Sequence, residues 1–299
     1  FKRVWLAWVV SNQIARAERA TIWIAMHDMT PLVSVSKQYV YCHNPTPFTS
    51  LKWTDVYFDP IFSLHVLFYR WVYALNIRRN TAVFVQQAWI RDQFENHFGA
   101  TNVWVSRPEE SQSLLTKNSS RKQKIRHWVY PTFPRQFKNI EVIGAALARL
   151  ELDQGWAGSV TVTIDANDNR YARWLNRRYG HLKTLRFIGR QSPEAMDTLY
   201  QNADGLLFSS KLETWGLPIT EAKSRGLPML LADCPYAHET VGVYDAVSFF
   251  DPDDSDSLAK FMLGLSKGIV TLGSVQGGKL PTEQVVFGWD ALVDQVCSL

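Results

Sequence analysis

The fold predicted for this chain depends on residues 209–222, which read Ser209-Ser210-Lys211-Leu212-Glu213-Thr214-Trp215-Gly216-Leu217-Pro218-Ile219-Thr220-Glu221-Ala222. The apolar run before this stretch, 205–208, is typical of a buried strand. Gly216 permits a tight turn and Pro218 suits the first turn of a helix, so a helix is predicted from Pro218. A second apolar run follows Gly226-Leu227-Pro228. Strand, turn, helix and strand in this order form the repeating unit of a parallel α/β sheet.

The same alternation continues on both sides of this stretch. It is interrupted where residues 109–124 are rich in Glu, Ser, Gln, Asn, Lys and Arg without apolar periodicity, as in a surface linker. We therefore predict an α/β protein with two Rossmann-like, doubly wound domains. The predicted limits are a first domain at 1–108, a linker at 109–124, a second domain at 125–288, and a helix at 289–299 that ends the second domain or crosses back to the first.

Two carboxylates, Glu213 and Glu221, flank the Gly216 turn with seven residues between them. The free N–H groups and positive dipole end of the predicted helix can bind an anion such as a phosphate. Carboxylates in turn suit the hydroxyl groups of a sugar. An isolated pair of acids is more often a loop acid and an exposed helix acid. Here the strand–turn–helix context favours a binding site at the carboxyl edge of the sheet.

A second candidate element is the loop 131–139, which follows the first strand pattern of the second domain and precedes a helix. It carries Arg135 and Lys138. Fixed cations can stabilise the negative charge that develops when a nucleoside diphosphate departs. The alternative interpretation is an ordinary solvated basic loop.

These elements together resemble the retaining glycosyltransferases of family 4, which have the GT-B fold. The resemblance covers roughly residues 34–251 and rests on Glu213-x7-Glu221, on Gly226-Leu227-Pro228 and on Phe187-Ile188-Gly189. It implies that Glu213 faces the donor sugar and that Glu221 binds the ribose. It also implies that sugar and phosphate are held by the backbone amides of four residues: Thr214, Trp215, Gly216 and Leu217.

The resemblance assigns further residues to the site. Arg135 and Lys138 match the family's diphosphate-binding cations, although their spacing is shorter than the commonest arrangement, which makes Lys138 the safer assignment. His43 resembles the first-domain histidine that contacts the donor sugar across the cleft between the domains, with His27 as a weaker competitor. Gly189 and Arg190, with Tyr200 and Asp204, are expected near the nucleobase.

The resemblance therefore implies a retaining hexosyltransferase that uses a nucleotide-diphosphate sugar donor and a sugar or lipid-linked acceptor, in surface polysaccharide or lipopolysaccharide assembly. A lipid-linked acceptor would bring a cytoplasmic protein into peripheral contact with the inner face of the membrane. Two alternatives stay open: a non-catalytic nucleotide-sugar-binding module, and a GT-B epimerase or phosphorylase. The resemblance also implies that the first domain is incomplete, because its first strand and glycine-rich loop have no counterpart before Phe1.

Composition argues against several other classes. Three cysteines, Cys42, Cys234 and Cys297, are too widely spaced for a zinc site or a disulfide scaffold, and a reducing cytosol fits them. Neither a metal nor a cofactor is expected. The net charge is +4 and the isoelectric point is about 8.9, but the basic residues form no stripe with interleaved aromatics, so nucleic acid is not an expected partner. No apolar run reaches the roughly 20 residues of a membrane-spanning helix.

Overall fold

The computed structural model describes residues 5–108, 124–153, 155–275 and 283–299. By its contacts the chain divides into two units, Phe1–Glu110 with Leu280–Leu299 and Ser111–Lys279. The predicted linker at 109–124 lies, except for Lys124, outside the described residues.

The first unit contains a parallel sheet flanked by helices, in the strand order β1-β2-β3-β4-β12. Its strands are β1 Ile22–Ala25, β2 Lys37–Cys42, β3 Ala82–Val85, β4 Val103–Arg107 and β12 Val285–Phe287. Its helices are α1 Ser11–Ala17, α2 Trp53–Phe58, α3 Pro60–Ala74, α4 Ala88–Phe98 and α11 Gly288–Ser298, with a π-helical segment at Leu6–Val10 and 3-10 turns at Thr46–Phe48 and Ile77–Arg79.

Both faces of this first sheet are buried, because successive side chains of a strand point to opposite faces. On one face Val40, Val83 and Val105 pack in a cluster with Phe94 of α4. On the other face Tyr39 and Phe84 pack with Leu292 and Val296 of α11. The hydroxyl of Tyr39 also donates to the Val296 carbonyl at 2.9 Å. The continuous apolar strands of the sequence reflect this two-sided burial.

The return of the chain to the first unit begins earlier than the predicted limit at 288. Strand β12 pairs in parallel with β4, and α11 follows it directly. A three-residue strand has too little pattern to be read locally, and its partner lies about 180 residues earlier in the chain. The sequence prediction therefore assigned Val285–Phe287 to the second domain.

The second unit contains seven strands in the order β11-β10-β9-β8-β5-β6-β7, parallel except for the pair β10–β11. Its strands are β5 His127–Tyr130, β6 Ser159–Val162, β7 Leu185–Phe187, β8 Gly205–Phe208, β9 Met229–Ala232, β10 Tyr244–Phe250 and β11 Gly273–Val275. Its helices are α5 Ile140–Leu150, α6 Arg170–Tyr179, α7 Pro193–Gln201, α8 Leu217–Ser224, α9 Pro235–Val241 and α10 Ser255–Lys267, with a 3-10 turn at Gln136–Lys138.

The prediction of two Rossmann-like parallel sheets is confirmed. The six strands β5 to β10 follow the doubly wound order 3-2-1-4-5-6, in which the winding direction reverses between the first and fourth strands. In this unit the reversal lies between β5 and β8. The loops that leave these two strands diverge and form a crevice, so the strand order places a ligand site there.

Candidate active site

The centre of the crevice is an ion pair between Lys138 and Glu213, which join the loops after β5 and β8. The two residues are 75 positions apart in the sequence. Their side chains are 7% and 15% exposed, so the pair is largely shielded from water while the carboxylate keeps some contact with solvent. A lysine in such surroundings needs an anion, since an unpaired buried charge is costly.

The Lys138 ammonium group also lies against three aromatic rings, which we call the aromatic cage. The distances from its Nζ atom to the ring centroids are 4.5 Å for Phe133, 5.5 Å for Phe137 and 6.0 Å for Phe208. The ring faces attract the cation and the ring bodies exclude water. The cage therefore holds the charge at a defined point in a region of low dielectric constant, where it acts strongly on an anion.

The backbone around Lys138 is fixed by buried hydroxyl groups. Tyr130 and Ser209 both donate to the Lys138 carbonyl, at 2.8 and 2.9 Å. Burial raises the pKa of Tyr130, so its hydroxyl stays protonated and remains a donor. The backbone N–H of Lys211 donates to the Phe137 carbonyl at 2.7 Å and ties the two loops together. The cation is thus held by both strands that border the crevice.

The predicted turn lies beside this pair. Gly216 adopts a left-handed conformation with φ +83° and precedes α8, whose first turn contains Pro218. No side chain of the described residues caps this helix end. The indole N–H of Trp215 donates to the Thr220 hydroxyl at 2.9 Å, and the Trp215 carbonyl accepts a hydrogen bond from the Thr240 hydroxyl. The turn is therefore anchored from α8 and from α9.

Glu221 lies on α8 and is exposed. Its Oε2 atom accepts a hydrogen bond of 2.7 Å from the buried hydroxyl of Tyr200. Burial, together with the Glu221 carboxylate, raises the pKa of Tyr200, so this hydroxyl remains a donor. The guanidinium group of Arg225 stacks over the Tyr200 ring at 4.7 Å and donates to the Glu221 carbonyl. These contacts orient a carboxylate that is open to a ligand.

A cavity of about 340 Å³ adjoins the aromatic cage through Phe133. It opens at the carboxyl ends of β5, β6 and β7 and contains both predicted arginines, Arg135 and Arg190. Its remaining lining residues include Thr132, Pro134, Thr163, Asp168, Asn169, Gln191 and Met196. Gly189, with φ +72°, turns the chain into this cavity at the end of β7. The arrangement provides cations and backbone groups beside the Lys138–Glu213 pair.

Comparison with known proteins matches part of this chain to a described family. Residues 131–267 match the family described as glycosyl transferases group 1. The matched range contains Lys138, Glu213, Glu221 and the cavity.

Three similar proteins extend this result. The O-antigen chain mannosyltransferase B of Escherichia coli is 34% identical over 79 residues, which cover 26% of this chain and 20% of that protein. The lipopolysaccharide outer core galactosyltransferase WaaB superposes with a TM-score of 0.58 at 14% identity, covering 88% of this chain and 71% of that one. HepE of Anabaena, solved in complex with UDP and glucose, gives 0.58 at 15% identity, covering 87% and 71%.

The structural likenesses show that the chain has the GT-B fold, and the family match supports a glycosyltransferase. The matched stretch spans one fifth (20%) of the length of the curated mannosyltransferase.

The remaining predicted residue, His43, lies in the first unit at the end of β2, with its side chain 49% exposed. Its Nδ1 atom is 3.4 Å from Oδ1 of Asp28, which is buried. The same Asp28 oxygen accepts from the backbone N–H groups of His43 and Asn44, at 2.6 and 3.2 Å. The carboxylate orients the imidazole so that Nε2 is the atom left for other contacts.

Sequence reasoning missed Asp28 and misplaced Asp204. Asp28 has φ +63°, unusual for a residue other than glycine, but no sequence pattern signals that conformation. Asp204 precedes β8 and its carboxylate accepts from the backbone N–H groups of Arg126 and His127, at the amino end of β5. It therefore lies at the opposite edge of the sheet from the Lys138–Glu213 pair and the adjoining cavity.

Replacing Gly216 with alanine is expected to destabilise the second unit by about 1–2 kcal/mol, because an L-residue is strained in the left-handed region. The new Cβ would also lie 3.3 Å from the Ile219 Cδ1 atom. Urea denaturation would measure the loss. Gly273→Ala is the matched control, since its Cβ would meet only atoms at 3.5 Å or more and its φ is not positive. Equal stability of Gly216→Ala and wild type would contradict the assigned turn.

Proposed function

We propose that this protein transfers a hexosyl group, with retention of anomeric configuration, from a nucleoside-diphosphate sugar to a hydroxyl group of an acceptor in surface polysaccharide or lipopolysaccharide assembly. The observation that carries the proposal is the Lys138–Glu213 pair at the reversal point of the sheet, beside the start of α8, which no side chain among the described residues caps. The pair puts a cation for a diphosphate next to a carboxylate for sugar hydroxyls.

In this proposal Lys138 binds the diphosphate together with Arg135 and the first backbone N–H groups of α8. Lys138 is paired with Glu213 in the structure, so the incoming phosphate oxygens would share or replace that carboxylate. The negative charge on the departing diphosphate grows in the transition state. A cation fixed by the aromatic cage stabilises this charge more than it stabilises the donor, which lowers the barrier.

Glu213 would then accept hydrogen bonds from the donor sugar and offset the positive charge that develops at its anomeric carbon. The acceptor oxygen forms a bond to that carbon on the face from which the diphosphate leaves. The carbon–oxygen bond to the diphosphate breaks, and the acceptor proton passes to a phosphate oxygen. His43 of the first unit is proposed to contact the sugar hydroxyls, with Asp28 holding its Nδ1 atom.

Glu221 is proposed to accept hydrogen bonds from the ribose, and the cavity containing Arg135 and Arg190 to accept the rest of the nucleoside. The exposed carboxylate, oriented by Tyr200, supports the first assignment. The position of the cavity along β6 and β7 supports the second, since nucleotides bind outside the carboxyl ends of such strands. HepE was solved with UDP and glucose, which is consistent with a nucleotide-sugar donor here.

The direct test is thermal unfolding with UDP, GDP, ADP and dTDP. One nucleoside diphosphate, at about 100 times its Kd, is expected to raise the melting temperature by about 5–10 °C. Glu221→Ala should lose most of that shift, because the ribose contact is removed. Glu95→Ala, which removes an exposed helical carboxylate from the first unit, should keep the full shift.

Absence of a shift with all four nucleotides would contradict the donor site. A shift without release of nucleoside diphosphate from any donor sugar, in the presence of acceptor, would favour a binding module over a transferase. Isomerisation of the donor without transfer would favour an epimerase.

A further inference from the structure

An exposed apolar surface covers helices α2 and α3 in the first unit. On α3 it is a stripe of five large side chains, each between 54% and 80% exposed: Ile61, Leu64, Leu67, Phe68 and Trp71. Helix α2 precedes α3 and contacts it. It also exposes large apolar side chains, namely Trp53, Val56 and Tyr57. We call these eight residues the apolar face. Soluble proteins seldom expose a contiguous group of this kind unless something binds it.

The spacing of the stripe shows that it is one side of an α-helix. Ile61, Leu64, Phe68 and Trp71 follow each other at intervals of three or four residues. The opposite side of α3 packs against its own unit, because Val66 and Tyr73 are buried. The helix is therefore apolar on both sides, and the described residues of its own unit cover one of them.

The charges of the segment that contains the apolar face indicate what covers it. Segment 52–79 has four cations, Lys52, Arg70, Arg78 and Arg79, against two carboxylates, a net charge of +2 with histidine neutral. Both carboxylates are engaged at helix starts: Asp55 accepts from the Lys52 N–H at 2.7 Å, and Asp59 accepts from the Phe62 N–H at 2.9 Å. Arg70 is the single charged residue of α3 and borders the stripe.

A surface of Trp, Tyr, Phe and Leu bordered by Lys and Arg is the composition of helices that lie in a membrane interface. A second copy of the chain fits less well. A two-fold contact would place the same patch against itself, and so would bring the bordering cations together. An anionic bilayer offers hydrocarbon to the stripe and phosphate groups to the cations.

We infer that the apolar face of α2 and α3 binds the surface of an anionic lipid bilayer, with its aromatic and aliphatic side chains among the headgroups. The described residues contain no helix long and apolar enough to cross a membrane. The inference rests on the proposed function in one respect, that a lipid-linked acceptor would be presented at such a surface.

The test is co-sedimentation of the full chain with vesicles of phosphatidylcholine, with and without about 30% phosphatidylglycerol. Wild type is expected to bind the anionic vesicles, and the binding should weaken when salt is raised, because screening reduces the attraction of the cations. Leu64→Glu/Phe68→Glu should weaken binding about tenfold or more, since carboxylates replace two apolar side chains that would enter the bilayer surface. Trp53→Ala should weaken it in the same direction, with little risk to folding because this side chain is 92% exposed.

Leu152→Glu is the matched control, because it places a carboxylate on a side chain that is 85% exposed in the second unit. It should bind vesicles as wild type does. Failure of wild type to bind anionic vesicles, or wild-type binding by both the double variant and Trp53→Ala, would overturn the inference. So would a dimer in sedimentation analysis that the double variant dissociates. Nucleotide-induced thermal shifts of the same variants report on the donor site separately, so the two proposals can fail independently.

Discussion

Lys138→Met is expected to lower kcat/KM for the sugar donor about 1,000-fold, which corresponds to about 4 kcal/mol of lost transition-state stabilisation. Methionine can fill the aromatic cage as the lysine stem does, so the packing against Phe133 should survive. What is lost is the charge that faces the departing diphosphate. Steady-state kinetics with varied donor would measure the effect.

The free energy of unfolding of this variant should also fall, because one charge of a largely shielded ion pair is left unpaired, so urea denaturation must accompany the kinetics. Glu213 would lose its partner, but its side chain is 15% exposed and can recover some hydration. Lys267→Met serves as a control, since Lys267 lies on α10 and its ammonium group is 3.8 Å from a carboxylate oxygen of Asp153, a long distance for an ion pair. The kcat/KM of Lys267→Met for the sugar donor should stay within about threefold of the wild-type value. If Lys138→Met kept activity within tenfold, Lys138 could not be the main diphosphate ligand.

Glu213→Gln is expected to lower kcat about 100- to 1,000-fold while leaving the affinity for nucleoside diphosphate unchanged or tighter. Glutamine keeps the shape and a carbonyl oxygen near Lys138 but removes the negative charge proposed to offset the developing charge of the sugar. Lys138 is then less neutralised and interacts more strongly with phosphate. Turnover assays and calorimetric titration of the nucleotide separate the two effects.

Glu194→Gln, which neutralises a fully exposed carboxylate on α7, is the control and should leave both quantities unchanged. Loss of nucleotide affinity in Glu213→Gln, in parallel with kcat, would indicate that the carboxylate acts only by holding the loop in place. A variant with both Lys138→Met and Glu213→Gln should recover stability relative to Lys138→Met alone, because no buried charge is left unpaired.

Much of the local structure could be predicted from the sequence because its causes are local. Strand β8, the Gly216 turn and helix α8 lie within twenty residues, and each has its own signal: an apolar run, a glycine and an early proline. The two glutamates could likewise be identified from their positions around that turn. Strands β10, β11 and β12 were not predicted, since two of them are three residues long and the apolar pattern of β10 is irregular.

The sequence by itself determined the alternation of strands and helices, the two-domain organisation and the glutamate motif with its basic loop, because these depend on interactions between near neighbours. Only the tertiary structure decided that β5 lies beside β8, which brings Lys138 to Glu213 across 75 residues. It also assembled the aromatic cage and paired β12 with β4 in the first sheet. The hydrogen bond from Tyr200 to Glu221 and the contact of Asp28 with His43 likewise depend on the tertiary structure. Strand order and long-range contacts depend on how the whole chain packs, and no local pattern contains that information.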